Sequence, residues 1–146
     1  LADVNHDGIL DLMTSNIGTN TVSVLRGTGD GRFGGRNDYP TGAGPRALAV
    51  ADLDGDGQLD LVVANTGAST ISVLLGNGDG TFRPKTDFVT GAGPRAVAVA
   101  DLNGDSRVDV IVGNWQAHSL SIFLNAAPAR ADAVTGGEEA SLAPRP

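Results

Sequence analysis

The sequence predicts an all-β protein made of a repeated four-stranded unit, that is, a segment of a β-propeller. Three observations predict it: a twelve-residue segment recurs almost unchanged, turn residues recur at short intervals, and no stretch has the sustained 3.6-residue period of a helix. The six aromatic residues leave most of the core to Val, Leu, Ile and Ala, which suit closely packed strands.

The repeat has a period of 49 residues. The segment 41–52 returns at 90–101 with one substitution, Leu48 to Val97. The same offset relates three aspartate-rich loops and two Gly-Asp-Gly turns. We predict repeat units at 3–51, 52–100 and, in part, 101–125, followed by a disordered tail or linker at 126–146.

Four strands are predicted over one repeat length, at 46–51, 59–65, 70–75 and 85–89. Residues 59–64 are apolar nearly throughout, as in a strand covered on both faces, whereas 70–74 alternate polar with β-branched residues, as in a half-buried strand. This spacing is that of a propeller blade, which must stack on its neighbours. Because a ring needs about four to eight blades, we expect either a fragment of a longer propeller or a homo-oligomer that completes a ring.

Composition excludes several function classes. The chain has 17 acidic and 10 basic residues, a net charge of −7, and no cluster of Lys and Arg, so we expect no nucleic-acid partner. It has no Cys, which removes disulfides, thiol catalysis and thiolate metal sites. No apolar run approaches the roughly 18 residues of a membrane span. A cation is the better electrostatic partner.

Each repeat contains a loop with the spacing Asp-x-(Asp/Asn)-x-Asp-(Gly/Ser)-x-x-Asp. Hard divalent cations take several oxygens, and this spacing offers side chains at positions 1, 3, 5 and 9 and a backbone carbonyl at position 7. We predict up to three Ca²⁺ ions, one per loop. The predicted ligands are Asp3, Asn5, Asp7, Ile9 and Asp11 in loop 1 (residues 3–11), Asp52, Asp54, Asp56, Gln58 and Asp60 in loop 2 (52–60), and Asp101, Asn103, Asp105, Arg107 and Asp109 in loop 3 (101–109).

The loops concentrate ten of the 17 acids, and three Ca²⁺ would bring the net charge from −7 to −1. Position 6 requires a sharp turn and positive φ, which suits Gly8 and Gly57; Ser106 replaces glycine there, so we expect loop 3 to be the most strained. The alternative is that these Asp, Asn and Gly residues are ordinary turn formers. That alternative does not explain why side-chain oxygens occupy the same four positions, 1, 3, 5 and 9, in all three loops.

Other cations and other loops fit less well. An EF-hand needs a bidentate Glu at position 12 and flanking helices, but position 12 is Thr14, Val63 or Val112 within predicted strands. Zinc prefers Cys and His, and the two histidines, His6 and His118, are not equivalent in the repeat. Magnesium prefers to keep several waters.

Three motifs resemble a known family. They are VAVADLNGD at 97–105, LDLVVAN at 59–65 and LLGNGDGTF at 74–82. With the 49-residue spacing, residues 1–125 resemble the FG-GAP or VCBS repeats of integrin α-subunit-type propellers and of many secreted bacterial and lectin-like proteins. The resemblance implies a seven-bladed parent propeller and Ca²⁺ held by the Asp and Asn residues named above, and it does not imply an enzyme. Phe33-Gly34 keeps the pair that names the family, whereas Phe82-Arg83 departs from it.

A few residues invite other interpretations. Trp115 has Thr66 and Ile17 as repeat equivalents, so it either contacts a ligand or packs over a loop, and His118 could join it. The recurring aromatics, Phe33 with Phe82 and Tyr39 with Phe88, are expected in the core. Arg46 and Arg95 are expected to pair with acidic loops.

The predicted function is a non-catalytic, calcium-binding extracellular scaffold for adhesion or for carbohydrate or protein ligands. No nucleophile, base and orienting group form a plausible triad, so we assign no catalytic residue. The alternative is an accessory or targeting domain of a larger secreted enzyme.

Overall fold

The computed structural model describes residues 1–125, in which ten strands form three antiparallel sheets. The predicted tail at 126–146 lies outside the described residues. The strands are β1 (Leu12–Asn16), β2 (Thr21–Gly27), β3 (Phe33–Pro40), β4 (Pro45–Ala51), β5 (Asp60–Asn65), β6 (Thr70–Leu74), β7 (Thr86–Val89), β8 (Pro94–Ala100), β9 (Asp109–Asn114) and β10 (Ser119–Phe123).

Each sheet is a meander in which consecutive strands pair. Sheet I contains β1, β2 and β3, sheet II contains β4 to β7, and sheet III contains β8, β9 and β10. The all-β, propeller-like architecture is therefore as predicted, and over residues 1–125 the three sheets do not close into a ring. The four predicted strands of sheet II are found within a residue or so of their expected bounds.

The sheets are offset from the sequence repeat. β4 ends the unit 3–51 along the chain, yet it is the first strand of sheet II, and loop 2 joins it to β5. Loop 3 joins β8 to β9 in the same way. Loop 1 precedes β1, where a single bridge between Ala2 and Asp11 stands in for the first strand. Loops 2 and 3 thus connect the first two strands of their sheets, and loop 1 connects the Ala2 bridge to β1.

Two apolar cores lie between the sheets. Core 1 joins sheets I and II, and core 2 joins sheets II and III. β5 is buried throughout, with Leu61 and Val63 in core 1 and Val62 in core 2, as expected for a doubly covered strand. Full burial of each such side chain contributes about 1.5–3 kcal/mol.

The expectation that 70–74 would be half-buried is wrong. Ile71 to Leu74 are all buried, because β6 also lies between two neighbouring sheets. Ile71 and Val73 belong to core 2, and Leu74 belongs to core 1. The polar Ser72 can be buried among them because its hydroxyl both accepts and donates hydrogen bonds. It accepts from Asn65 Nδ2 at 2.8 Å and donates to Asp87 Oδ1 at 2.6 Å.

Aromatic pairs connect the sheets. Tyr39 and Phe82 meet edge to face at 5.4 Å between ring centroids, and Phe88 meets Phe123 at 6.1 Å. The prediction that the recurring aromatic residues lie in the core is confirmed for Tyr39, Phe82 and Phe88. It is wrong for Phe33, which is 41% exposed. Within residues 1–125 no sheet lies against the outer face of sheet I, whereas sheet I covers the equivalent Phe82.

No helix long and apolar enough to cross a membrane occurs in residues 1–125.

Candidate metal centres

The first aspartate of each loop organises the loop backbone. Asp52 accepts from the amides of Gly55 (2.8 Å) and Gly57 (2.9 Å), and Asp101 accepts in the same way from Gly104 (2.7 Å) and Ser106 (2.9 Å). In loop 1, Asp3 accepts from Gly8 at 2.8 Å and from Asp7 at 3.2 Å. These bonds curl the backbone around the carboxylate, as a short ligand loop requires.

The ninth-position aspartate ties its loop to the sheet. Asp60 is buried and accepts from Leu53 N through Oδ2 and from Gly76 N through Oδ1, both at 2.8 Å. The equivalent bonds are Val4 N (3.1 Å) and Gly27 N (2.9 Å) to Asp11, and Leu102 N (2.9 Å) and Asn125 N (2.7 Å) to Asp109. The two carboxylate oxygens thus tie the start of each loop to the end of a strand of the same sheet, which is β2 for loop 1, β6 for loop 2 and β10 for loop 3.

Loop 2 brings three carboxylates together. One oxygen each of Asp52, Asp54 and Asp60 lies within 4.8 Å of the others, and this is the one such acidic group in the described part of the chain. Asp56 is not part of it; its Oδ1 accepts from Gln58 N at 2.8 Å.

In loops 1 and 3 an asparagine stands where loop 2 has Asp54. Asn5 Nδ2 donates to Asp7 Oδ2 at 2.9 Å, and Asn103 Nδ2 donates to Asp105 Oδ2 at 3.2 Å. These amides reduce the like-charge contact that loop 2 retains. The other predicted ligands, including the backbone carbonyls of Ile9, Gln58 and Arg107, stay predictions.

The electrostatics of loop 2 differ from those of its neighbours. Burial raises the pKa of Asp60 to about 6, and although the amides of Gly76 and Leu53 oppose this rise, Asp54 and Asp56 add to it. Burial also raises the pKa of Asp54. For Asp3 and Asp101 burial acts in the same direction, but backbone N–H donors outweigh it and lower the pKa. Loop 2 is therefore the loop in which burial and neighbouring acids oppose ionisation, and a divalent cation there would favour the charged carboxylates.

The residues present fit a hard divalent cation. The converging donors are carboxylate oxygens, with no thiolate or imidazole among them, which is the donor set typical of Ca²⁺. A cation at loop 2 would be held by Asp52, Asp54 and Asp60 and would neutralise charge that the fold confines there.

Position 6 of each loop is left-handed, as expected. Its φ is +81° at Gly8, +84° at Gly57 and +67° at Ser106. His6, at position 4 of loop 1, also has a φ of +58°, where the other loops have Gly55 and Gly104. Loop 3 is therefore not alone in carrying a strained non-glycine residue, and a comparison of position 4 along the sequence would have shown this.

The ends of the strands opposite the aspartate loops form a second surface, called the opposite edge below, which carries a different set of side chains. The guanidinium of Arg95 lies 5.3 Å from the centre of the Trp115 ring, and Trp115 is 63% exposed. Arg46 and Arg95 each follow a proline at a β-bulge, at the start of β4 and of β8 respectively. Neither pairs with an acidic group among residues 1–125, so the expected ion pairs with the acidic loops are wrong. The loops lie at the other end of these strands.

His118 does not join a metal centre in the described part of the chain. It lies in the turn between β9 and β10 with a φ of +48°, and its repeat equivalents, Asn20 and Ser69, are also left-handed. A backbone requirement of the turn therefore accounts for this position.

With the loop geometry and the stacked sheets established, comparison with known proteins gives the family. The FG-GAP-like repeat matches residues 3–63 and 54–112. The chain belongs to the FG-GAP-like repeat family. Such repeats occur in integrin-like adhesion modules, often bind Ca²⁺, and are typical of extracellular or surface proteins. A search among curated proteins finds no match to the chain.

Replacing Ser106 by Gly should stabilise the protein. The substitution removes the penalty of a left-handed non-glycine residue, about 1–2 kcal/mol, and part of this gain is offset by the greater freedom of glycine in the unfolded chain. We expect a net gain of about 0.5 kcal/mol in the free energy of unfolding, measured by urea denaturation. Gly57→Ala is the matched reverse change, in open space at φ +84°, and should destabilise. If Ser106→Gly and Gly57→Ala changed the free energy of unfolding in the same direction, the requirement for a left-handed residue at position 6 would be contradicted.

Without Ca²⁺, acidification from pH 7 to pH 5 should stabilise the protein. Asp60 has a pKa of about 6 in the folded state, above the ordinary 3.8, so the folded protein binds this proton more readily than the unfolded chain. Between pH 7 and pH 5 the gain in the free energy of unfolding is about 1 kcal/mol, because only part of the shift falls within this range. The lowered pKa values of Asp3 and Asp101 act only at lower pH. Thermal melts in chelator should show the rise, and excess Ca²⁺ should abolish it. A flat profile in chelator would contradict the prediction.

Proposed function

We propose that the three loops bind Ca²⁺, loop 2 most tightly, and that the protein is a non-catalytic scaffold that acts outside the cell. The convergence of Asp52, Asp54 and Asp60 supports the calcium site most directly. Asp60 is almost completely buried, and its ionisation is unfavourable without a cation. A bound ion would stabilise the folded state, because the unfolded chain has no preformed site.

The expected affinity favours an extracellular setting. Calcium sites in extracellular modules have dissociation constants of about 10⁻⁴ to 10⁻³ M. Such sites would be filled outside the cell and nearly empty in a resting cytosol. The family's typical occurrence in extracellular and surface proteins supports the same proposal.

Asp54→Asn tests the assignment with a control that the chain itself supplies. The variant gives loop 2 the asparagine that loops 1 and 3 already have at this position, so it removes one charge and keeps an oxygen ligand. We expect several-fold weaker binding at the tightest site in calorimetric Ca²⁺ titrations. Asp30→Asn, an exposed acid outside the three loops, should leave the titration unchanged.

Chelation should lower the melting temperature of the unmodified chain, and Ca²⁺ should restore it. A melt that is the same in excess Ca²⁺ and excess chelator, with no heat on titration, would contradict the calcium proposal. An equal effect of Asp30→Asn and Asp54→Asn would contradict the assignment to loop 2.

We further propose that the edge with Arg95 and Trp115 binds a glycan or protein ligand. The indole offers an exposed ring, and the guanidinium stacked on it has no acidic partner among residues 1–125. The ten loop acids lie at the opposite edge, so an anionic ligand would meet little repulsion here. A scaffold needs such a surface, and no catalytic group is required for it.

An immobilised glycan array tests this surface. We expect binding to weaken about tenfold or more in Trp115→Ala, because the stacking face is lost. Ile17→Ala, at the equivalent position of the first repeat and also exposed, should bind as the unmodified chain does. Equal binding by both variants would contradict the assignment. Cleavage of a bound glycan by this chain would contradict the non-catalytic proposal.

A further inference from the structure

We propose that Asn125 is a positioning residue shared by two of the calcium loops, so that Ca²⁺ binding at loop 2 and Ca²⁺ binding at loop 3 strengthen each other. Its backbone amide holds the ninth-position aspartate of loop 3, and its side-chain amide holds the backbone of loop 2 across the interface between sheets II and III. The inference rests on the proposed calcium sites and states how two of them act together.

The backbone of Asn125 makes a contact that recurs in the other sheets. Asn125 N donates to Asp109 Oδ1 at 2.7 Å, and its repeat equivalent Gly76 N donates to Asp60 Oδ1 at 2.8 Å. Gly27 is the equivalent residue of sheet I. A Cβ atom built on Gly27 or on Gly76 would lie 2.3 Å from the carbonyl oxygen at loop position 8. Of the three equivalent residues, Asn125 alone therefore carries a side chain.

The side chain of Asn125 crosses to the neighbouring sheet. Its Nδ2 donates to Leu53 O in loop 2 and, at 3.3 Å, to Val108 O in its own sheet. Asn125 is 6% exposed and Leu53 5% exposed. Because bulk water hardly reaches this contact, little competes with the hydrogen bond between the two sheets.

Leu53 is the residue through which loop 2 would sense its ion. It lies between Asp52 and Asp54, two of the three converging carboxylates, and its own amide donates to the third, Asp60 Oδ2, at 2.8 Å. The carbonyl that Asn125 holds therefore belongs to a residue tied to all three carboxylates. Any arrangement of these carboxylates around an ion also sets the position of Leu53 O.

A continuous series of hydrogen bonds thus joins two buried aspartates of different loops. From Asp60 it runs through the amide and carbonyl of Leu53, then through the side chain and amide of Asn125, to Asp109. Only two residues intervene, and all four are buried. Coupling between binding sites can travel through such a network when both sites act on the same element. Here that element is the Leu53–Asn125 contact.

Loop 1 is joined to loop 2 less directly. Its equivalent carbonyl, Val4 O, accepts from Gly80 N at 3.0 Å. The residue of that turn that bonds a ninth-position aspartate is Gly76, four positions away. His6 Nε2 also lies 2.8 Å from Gln58 Oε1, but both side chains are solvent-accessible there. Loop 1 therefore serves as an internal reference for changes at Asn125.

The expected coupling is positive. Ions at loops 2 and 3 need the same placement of Leu53 and Asn125, so the first ion to bind orders residues that the second then finds in place. Linkage makes the effect equal in both directions. Repulsion between two dications acts the opposite way and is screened over about 8 Å at physiological salt. The sign of the coupling therefore separates the hydrogen-bonded link from simple charge repulsion.

Calcium titration of the full chain, followed by NMR, resolves the three loops. The position-6 amides of Gly8, Gly57 and Ser106 donate to the first aspartate of their loops at 2.8, 2.9 and 2.9 Å, so their resonances report each loop separately. Asp54→Ala removes a ligand oxygen from loop 2. We expect it also to weaken Ca²⁺ binding at loop 3 about fivefold, the effect of one net hydrogen bond on an equilibrium constant. Asp30→Ala, outside the loops, should leave loop 3 unchanged.

Asn125→Gly removes the link and keeps the backbone contact. Glycine is the residue of the other two repeats at this position, and it retains the amide that donates to Asp109. In an Asn125→Gly background, Asp54→Ala should no longer affect loop 3, and loop 1 should bind as in the unmodified chain. Asn125→Leu is the second variant. It fills similar space without a donor, so a packing role would survive it and the coupling would not.

Failure of the coupling and failure of the calcium proposal give different results. If no loop amide responds to Ca²⁺, the calcium proposal fails and this inference fails with it. If the amides respond but Asp54→Ala leaves loop 3 unchanged or strengthens binding there, the coupling alone is overturned. Coupling that persists in both Asn125→Gly and Asn125→Leu overturns the role of Asn125. The dispersion of the amide resonances establishes that each variant is folded.

Discussion

The structure depends on a buried carboxylate that serves the loop and the sheet together. Asp11, Asp60 and Asp109 are almost completely buried, and each accepts backbone N–H groups through both oxygens. An ionised carboxylate is costly to bury unless its charge is satisfied. Two amide donors satisfy part of it, and at loop 2 the neighbouring acids add further cost. At loop 2 a divalent cation would offset that cost and join the loop more firmly to Gly76, just beyond the end of β6.

This arrangement divides the sheets into two unlike edges. The meander places the aspartate loops at one end of the strands, and the turns between β1 and β2, β5 and β6, and β9 and β10 at the other. The ten loop acids are therefore remote from Arg46, Arg95 and Trp115. The proposed calcium sites and the proposed ligand surface therefore lie at opposite ends of the strands, where a change at one need not alter the other.

Much of the fold follows from the 49-residue period, because each unit must form the same strands and bury the same positions. The strands at 46–51 and 59–65 and the left-handed position at Ser106 were predictable for this reason. Burial was harder to predict. Whether β6 is covered on one face or two, and whether Phe33 is covered at all, depends on the neighbouring sheet and not on the local pattern. The Arg95–Trp115 contact arises from a substitution at one repeat position, so the period gave no signal for it.

The candidate site was predictable as a set of loops but not as a ranking among them. Sequence spacing treats Asn5, Asp54 and Asn103 alike as oxygen ligands, yet only the aspartate leaves three carboxylates within 4.8 Å. The most direct measurement is anomalous scattering from crystals of the chain grown with Ca²⁺. We predict a strong peak between the side chains of Asp52, Asp54 and Asp60. Well-ordered crystals in which that position holds no peak, with the three carboxylates turned apart, would contradict it.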